Sequence, residues 1–524
     1  MRIVTAPYRL HIAMKSIVLS LAFLVTGARA IEKPNIVLIY ADDLGYGEVS
    51  AYNPARNKVP TPRIDHLAAQ GMRFTDAHSS SAVCSPSRYT MLTGRYHWRS
   101  RLQQGIVGLW EKPLIAEDRL TLGGMLRGHG YQTAITGKWH LGWDWNLSKT
   151  QIAQMSASNK NVVSPTQEQL ALWSQLFARD IRGGPVDRGF DRYFGTDVPN
   201  WPPFCFIENR RTLGMPNEFL PASQFLNNLA SQQGPALKNW SLEPILPAIT
   251  QRACDWIGEF AKSGKPFFLY FPMTAPHTPI APTAEWRGKS GLGAYADFVL
   301  QTDAAIGRVL DALEQAGVVD NTLVILTSDN GNASYAGGKD LEKSGHYPSG
   351  PLRGYKFDAW EGGHRVPFIV RWPKLVKAGS VCSHLIQQSD LMATFADILQ
   401  LPLPDNAAED SISFLSLLKG GSKPSRDIGI SCSAAGVPAL RSGSWKFIPA
   451  NPGRGNAGKN TTKGDQVAHL YHLEEDLGET KNLATAMPDK VKEMKALLET
   501  IITQGRSTPG SNQKNDVPVV RHPR

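Results

Sequence analysis

Three unbroken apolar runs restrict this chain more than any other feature. Asn35-Ile36-Val37-Leu38-Ile39-Tyr40, Pro266-Phe267-Phe268-Leu269-Tyr270-Phe271 and Leu323-Val324-Ile325-Leu326-Thr327 carry apolar side chains at nearly every position. A strand with water on one face alternates. A run without alternation reads as a strand covered on both faces, which is how parallel sheets are buried. Residues 131–136 and 368–371 read as further strands. Helical segments fall between them, at residues 61–71, 121–129, 249–263 and 295–316, and residues 389–399 follow as another. In the first, Ile64, Leu67 and Ala68 share a face; in the fourth, Phe298, Ile306, Val309 and Leu310 do. Strands alternating with helices specify an α/β fold: a large mixed, mostly parallel sheet sandwiched by helices.

Sheets of this kind bind ligands beyond the carboxyl ends of their strands. Four strands end in polar residues: Asp42 and Asp43, Lys138 and His140, His277, and Asp329 and Asn330. Any one of these ends alone reads as a solvated loop. Four at one edge describe a site. Adjacent carboxylates such as Asp42 and Asp43 repel unless a cation sits between them. Asp42, Asp43, Asp329 and Asn330 offer only oxygen, which suits calcium or magnesium better than zinc. Lys138, His140, His277, Arg88 and Lys356 form a cationic set of the kind that stabilises a departing oxyanion.

The segment Cys84-Ser85-Pro86-Ser87-Arg88-Tyr89-Thr90-Met91-Leu92-Thr93-Gly94-Arg95 fits between these strands. Pro86 suits the first turn of a helix, because it has no N–H to leave unsatisfied. Cys84 then lies at the helix N-terminus, where backbone N–H groups and the dipole favour an anion. Arg88, one turn on, is placed to fork onto an oxyanion. A buried structural cysteine ahead of an ordinary helix is the plainer alternative.

Cys-x-Pro-Ser-Arg followed by Leu-Thr-Gly-Arg resembles the signature of the type I sulfatases. Gly137-Lys138-Trp139-His140, Ala275-Pro276-His277 and Arg353-Gly354-Tyr355-Lys356 are similar to further motifs of that family. The resemblance implies an alkaline-phosphatase-like fold and a sulfuric ester hydrolase in which Cys84 is oxidised to formylglycine by a maturation enzyme. It assigns Asp42, Asp43, Asp329 and Asn330 to one Ca²⁺, which also touches an oxygen of residue 84. It places His277 and Lys356 near the leaving group. His140 pairs with the formylglycine hydroxyl and helps release sulfate. The pattern is most similar to the arylsulfatase A and N-acetylgalactosamine-6-sulfatase branch, which implies a sulfated glycan, with a 6-sulfated galacto-configured sugar as the narrower reading. Trp110, Trp143, Trp145 and Asn200-Trp201-Pro202-Pro203-Phe204 follow the motifs in loops. They read either as sugar-stacking platforms or as buried anchors. A phosphodiesterase or phosphonate monoester hydrolase of the same superfamily, and a non-enzymatic sulfated-glycan-binding protein, are the competing readings.

The chain has 524 residues, more than one typical core needs, and reads as a catalytic domain over residues 31–404 with a smaller unit behind it. Leu401-Pro402-Leu403-Pro404 marks the boundary. Short strands at residues 428–433, 438–441, 445–449 and 469–473 predict an antiparallel sheet, closed by an amphipathic helix over 488–504 within a unit of residues 405–505. Leu470-Tyr471-His472-Leu473 and Glu479-Thr480-Lys481-Asn482-Leu483 also resemble the C-terminal region of sulfatases. Residues 506–524 read as a disordered tail. Arg2, Arg9 and Lys15 before an apolar run at residues 17–25, with Ala28-Arg29-Ala30 after it, read as an export signal over residues 1–30. The reading is a periplasmic or secreted protein, or a lysosomal-type one in a eukaryote, with no integral membrane segment in the mature chain. Five cysteines leave four beside Cys84, which allows two disulfides or four thiols. The net charge of +10 fits an anionic partner or simply a soluble basic surface. With no basic helix and no zinc-finger spacing, nucleic acid is not the partner it implies.

Overall fold

The computed structural model describes residues 1–3, 6, 33–155, 164–225, 230–453 and 467–520. The expected export signal lies almost wholly outside these. Residues 33–524 form one compact unit.

Among the described residues the main sheet has ten strands. Its centre is five parallel strands in the order Thr322–Ser328, Asn35–Ala41, Phe267–Pro272, Gln132–Lys138 and Arg192–Thr196. Phe368–Arg371 joins antiparallel beside Thr322–Ser328, so the sheet is mixed at its flank. Asn35–Ala41 is paired on both sides, with Ile39 opposite Leu326 and Phe271, and all seven of its residues are buried. This is the physical content of the unbroken apolar run. Ile36, Leu38 and Tyr40 face one core, with Met91, Leu92 and Phe395 from helices Cys84–Thr93 and Leu391–Ile398. Val37, Ile39 and Ala41 face another, with Leu67, Ile257, Ile306 and Val309 from helices Pro62–Gln70, Ile245–Ser263 and Ala294–Gln315.

A second sheet orders Ile428–Cys432, Pro438–Ser442, Trp445–Ile448 and His469–His472 antiparallel, and Pro488–Gln504 packs on it through Met494, Leu498 and Ile501. The boundary at residue 404 needs correction. Phe414, Leu415, Leu417 and Leu418 belong to the main core, so the small sheet takes over only at Ile428. The small sheet is also not a separate body. Its core includes Tyr96 and Trp98 from the segment after the Cys84 helix.

The tail is a second correction. Arg506 is buried and bonds Asp405 at 2.7 Å. Asp516 reaches Arg95 at 3.0 Å, and its backbone N–H donates to the Arg99 carbonyl at 2.8 Å. Polar composition misled here because these residues satisfy buried arginines rather than a hydrophobic core. Between Trp145 and Pro185 lie helices Lys149–Met155 and Gln167–Phe177, neither of them assigned from the sequence. The second opens on a Thr166/Gln169 capping box and buries Leu172, Trp173, Leu176 and Phe177, a helix-start signal present in the sequence. All five cysteines are unpaired, so the thiol alternative holds.

Arg99 donates from Nε and Nη2 to the two oxygens of Asp410, each at 2.8 Å, and both side chains are fully buried. Removing one member of such a pair strands the other. Arg99→Ala is expected to destabilise the protein by about 3–5 kcal/mol in chemical denaturation. A loss under about 1 kcal/mol, the value of an exposed pair, would show that the pair is not isolated from water.

Candidate active site

The five central strands are parallel, so their carboxyl ends share one edge, and the backbone ladder continues past it. Asp329 N–H donates to Ala41 O at 3.1 Å, Asp42 N–H to Ala275 O at 3.1 Å, and Met273 N–H to Tyr40 O at 2.8 Å. These bonds carry Asp42, Asp43, His277, Asp329 and Asn330 into one place as direct extensions of strands. Asp43 and His140 have φ of 66° and 54°, a left-handed conformation that non-glycine residues adopt at a cost and that clusters at functional sites. Gly137 is fixed by a close approach. Its φ is 135°, and a Cβ there would lie 1.8 Å from Pro272 O. Lys138 and His140 therefore follow a position that only glycine fills.

Cys84 opens the helix Cys84–Thr93, every residue of which is buried. Its Sγ lies 3.6 Å from Asp42 Oδ1 and 3.7 Å from Lys356 Nζ. Arg88 does fork, but onto protein carboxylates. Nε and Nη2 reach Asp329 Oδ2 at 3.2 and 2.8 Å, and Nη2 lies 3.3 Å from Asp42. Lys138 Nζ bonds Asp42 Oδ2 at 2.8 Å, and Lys356 Nζ bonds Asp43 at 2.7 Å. His277 directs Nδ1 at the Thr278 carbonyl and leaves Nε2 3.8 Å from Asp43 Oδ2. His140 lies against the edge of Trp201 at 5.5 Å, and neither of its ring nitrogens has a partner among the described residues. All six residues expected to do chemistry, and the four expected to hold metal, are thus in one buried cluster.

Three buried carboxylates face three buried cations here. Burial opposes charge on Asp42, but His277, Lys138 and Arg88 outweigh it and hold the carboxyl well below its usual range. Asp329 goes the other way. Burial and the negative charge of Asp42 push it up to about 7 despite Arg88. Burial lowers His277 to about 4 and drives His140 well below the ordinary histidine value, with Lys138 and Arg88 adding to the effect on His140. Burial also pushes the Cys84 thiol up to about 12, with Lys138 and Lys356 only partly offsetting it. As a thiol, residue 84 is a poor nucleophile at neutral pH.

These residues fit a divalent cation. Asn330 donates Nδ2 to Asp43 Oδ1 at 2.7 Å, while its Oδ1 is buried with no partner among the described residues. A buried acceptor without a donor beside crowded carboxylates is what a hard cation would satisfy. Asp42, Asp43, Cys84 and His277 bring ligand atoms within 4.8 Å of one another. A second such cluster, His78, Glu361 and His364, is already tied up in ion pairs and hydrogen bonds with Asp76, Lys446 and Ala359.

The sequence reading missed three supports. Gln388 takes the Tyr40 hydroxyl at 2.6 Å and donates to Ser328 O at 2.6 Å, bracing two strand ends. Asp197 accepts the His140 N–H at 3.1 Å. Tyr335 stacks on Phe357, next to Lys356, with ring centroids 6.1 Å apart. None sits in a recognisable motif; only their closeness in the fold reveals them. Of the aromatics singled out, Trp110, Trp143 and Trp145 are buried anchors, and Trp201 alone both borders the site and keeps some exposure.

A sulfatase family profile matches residues 34–401. An N-acetylgalactosamine-6-O-sulfatase of Bacteroides thetaiotaomicron is 35% identical over 489 residues, covering 90% of this chain and 94% of its own. Human arylsulfatase A is 30% identical over 98% of this chain and 96% of its own. A solved 6S-sulfatase structure from Bacteroides thetaiotaomicron, described in connection with glycosaminoglycan metabolism, superposes with a TM-score of 0.76 at 32% identity, covering 90% of this chain and 99% of that one. The chain belongs to the sulfatase family, in the arylsulfatase A and N-acetylgalactosamine-6-sulfatase branch, and is a sulfuric ester hydrolase.

The fit to a cation has a readout apart from turnover. A divalent ion bound only by the folded chain stabilises it by about 2.7 kcal/mol at a hundred times its Kd. The melting temperature of metal-stripped protein should rise on adding calcium, and Asp329→Ala should abolish the rise. A melting temperature indifferent to calcium and magnesium would show that the three cationic side chains alone balance the carboxylates.

Proposed function

We propose that this sulfatase hydrolyses O-sulfate esters of glycans, with 6-sulfated N-acetylgalactosamine or galactose as the favoured unit, using formylglycine made from Cys84 and one Ca²⁺. The observation that carries the reading is Cys84 itself. Its side chain sits at a helix start, within 4 Å of Asp42 and of Lys356, amid three buried carboxylates. A thiol raised to about 12 has no use there as a thiolate, whereas an oxygen nucleophile does. The carbohydrate assignment leans on relatives named as N-acetylgalactosamine-6-sulfatases, the Bacteroides thetaiotaomicron enzyme among them.

Cys84 would carry the formylglycine, whose hydrate would supply an oxygen nucleophile for sulfur, and Asp42, Asp43, Asp329 and Asn330 would hold a Ca²⁺ that draws charge from the sulfate oxygens. Oxygen donors and the open Asn330 Oδ1 support calcium over zinc. Lys138 and Lys356, held on Asp42 and Asp43, keep positive charge fixed where negative charge develops, so no solvent need reorganise. Arg88 orients Asp329 and Asp42. His140, neutral and with neither ring nitrogen bonded among the described residues, has one nitrogen able to take a proton from residue 84. His277 presents Nε2, its Nδ1 being fixed on Thr278, and together with Lys356 serves the departing oxygen. The same proposal includes export by the segment over residues 1–30 and a maturation enzyme that acts on Cys84. Among the described residues no helix is long and apolar enough to cross a membrane.

Cys84→Ala should fold and lose nearly all turnover, and the peptide carrying residue 84 in active enzyme should have the mass of an aldehyde rather than a thiol. Elemental analysis should give about one calcium per chain. Two zinc ions per chain with preference for phosphate esters would replace this reading with a phosphatase-like one. A sugar alkoxide needs a proton to leave and a nitrophenolate does not. His277→Ala is therefore expected to slow a sulfated sugar more than an activated aryl sulfate, by a factor on the order of 10²–10⁴ in kcat/KM. Equal losses on both would move the proton to Lys356.

A further inference from the structure

A cavity of about 750 Å³ opens beside the site, and nothing in the catalytic reading uses it. Thr278 and Pro279, which follow His277, form one wall. Tyr335 stands on another, stacked on the residue after Lys356. Both groups proposed to serve the departing oxygen thus have an immediate neighbour in the cavity wall or against it. The opposite side comes from the segment between strand Arg192–Thr196 and helix Ile245–Ser263, through Gln224, Phe225 and Trp240.

We infer that this cavity is a subsite for the sugar units attached to the sulfated one, and that the substrate is an oligosaccharide rather than a monosaccharide sulfate. The inference rests on the glycan reading above and adds where the rest of the chain goes. Its chemistry is that of a sugar site. Sugar rings have apolar C–H faces edged by hydroxyls, and aromatic rings with polar neighbours match both. Trp240 and Tyr335 supply the aromatic surface, with the buried Phe225 behind it, and Gln224 and the Glu243–Arg287 pair line the cavity with polar groups. The Trp240 indole N–H is buried with no partner among the described residues. It is a donor that a sugar hydroxyl would satisfy. The volume lies in the upper part of the range of about 300–1,000 Å³ that holds whole ligands, more than one ring requires. An apolar sterol would fill the space but strand these polar groups, which costs binding.

The test uses the full-length, aldehyde-bearing enzyme with three esters: N-acetylgalactosamine 6-sulfate, a tetrasaccharide of N-acetylgalactosamine and glucuronate bearing that 6-sulfate, and a steroid 3-sulfate. The tetrasaccharide should exceed the monosaccharide in kcat/KM by about tenfold or more, and Trp240→Ala and Tyr335→Ala should each shrink that ratio toward one. Binding of the unsulfated tetrasaccharide to Cys84→Ala, measured by calorimetry, should weaken about tenfold when Trp240→Ala is added. Turnover of the monosaccharide with no gain on the tetrasaccharide overturns the subsite and leaves the sulfatase reading standing. Preference for the steroid sulfate overturns it as well. If no glycan sulfate is turned over, the glycan reading fails; tetrasaccharide binding lost in Trp240→Ala then supports the subsite alone, and binding unaffected by that change overturns it.

Discussion

Everything at the carboxyl edge of the sheet depends on packing three buried carboxylates against three buried cations. Asp42 is the shared member, meeting Lys138 at 2.8 Å and Arg88 at 3.3 Å, while Arg88 also holds Asp329 at 2.8 Å. Ion pairs at this depth are weak sources of stability, because desolvating each charge offsets most of the attraction. Their value here is geometric. The pairs hold every charged group in one arrangement before substrate arrives, so a sulfate ester meets charges that need not move. Burial and the charge of Asp42 raise Asp329, and the Asn330 oxygen has no partner among the described residues, features that a further cation would accommodate.

Such an arrangement needs a rigid frame behind it, and the small sheet provides part of it. Ala82 N–H donates to Cys432 O and Cys432 N–H to Ser80 O, so the first strand of the small sheet pairs with the chain just ahead of Cys84. Phe357, beside Lys356, joins the same bonding through Ala82 and Ala434. A second buried ionic group locks the sheet down. Lys446 bridges Glu361 at 2.9 Å and Glu479 at 2.8 Å, and Arg365 and Arg441 hold Asp76. The turn at Gly331 is tied to the same region, since a Cβ there would lie 1.8 Å from Gly362 O. The unit called C-terminal by sequence position is therefore structural support for the segment that carries Cys84.

The central strands were legible because burial on both faces leaves a direct trace, as the seven buried residues of Asn35–Ala41 show. The site was legible for a related reason. A parallel sheet delivers its strand ends to one edge, so the polar residues after each apolar run needed no further information to be grouped. The failures share a cause as well. Arg506 and Asp516 are fixed by ionic contacts across hundreds of residues, and a polar segment satisfied at long range looks the same in sequence as one left in water. Arg88 was placed correctly, but its partners were not, because an arginine forks onto a carboxylate as readily as onto a sulfate. Gln388 and Asp197 carry no local pattern at all.

The division between what is readable and what is not follows the division of labour in the molecule. The groups proposed to act on the sulfate stand at or beside strand ends, where the backbone ladder fixes them, and that placement goes with short rigid motifs such as Gly137-Lys138-Trp139-His140. Groups that would meet the rest of a substrate need no such placement. The described residues from Asn200 to Glu243 follow strand Arg192–Thr196 and precede helix Ile245–Ser263, and they include the short strands Ile207–Glu208 and Arg211–Thr212. They bring Trp201 to His140 on one side and Trp240 to the cavity on the other. A loop anchored at both ends by the sheet can change its aromatic residues without disturbing Asp42 or Lys138. On the proposed subsite, selectivity would therefore belong to the part of the chain that motif reading describes least well.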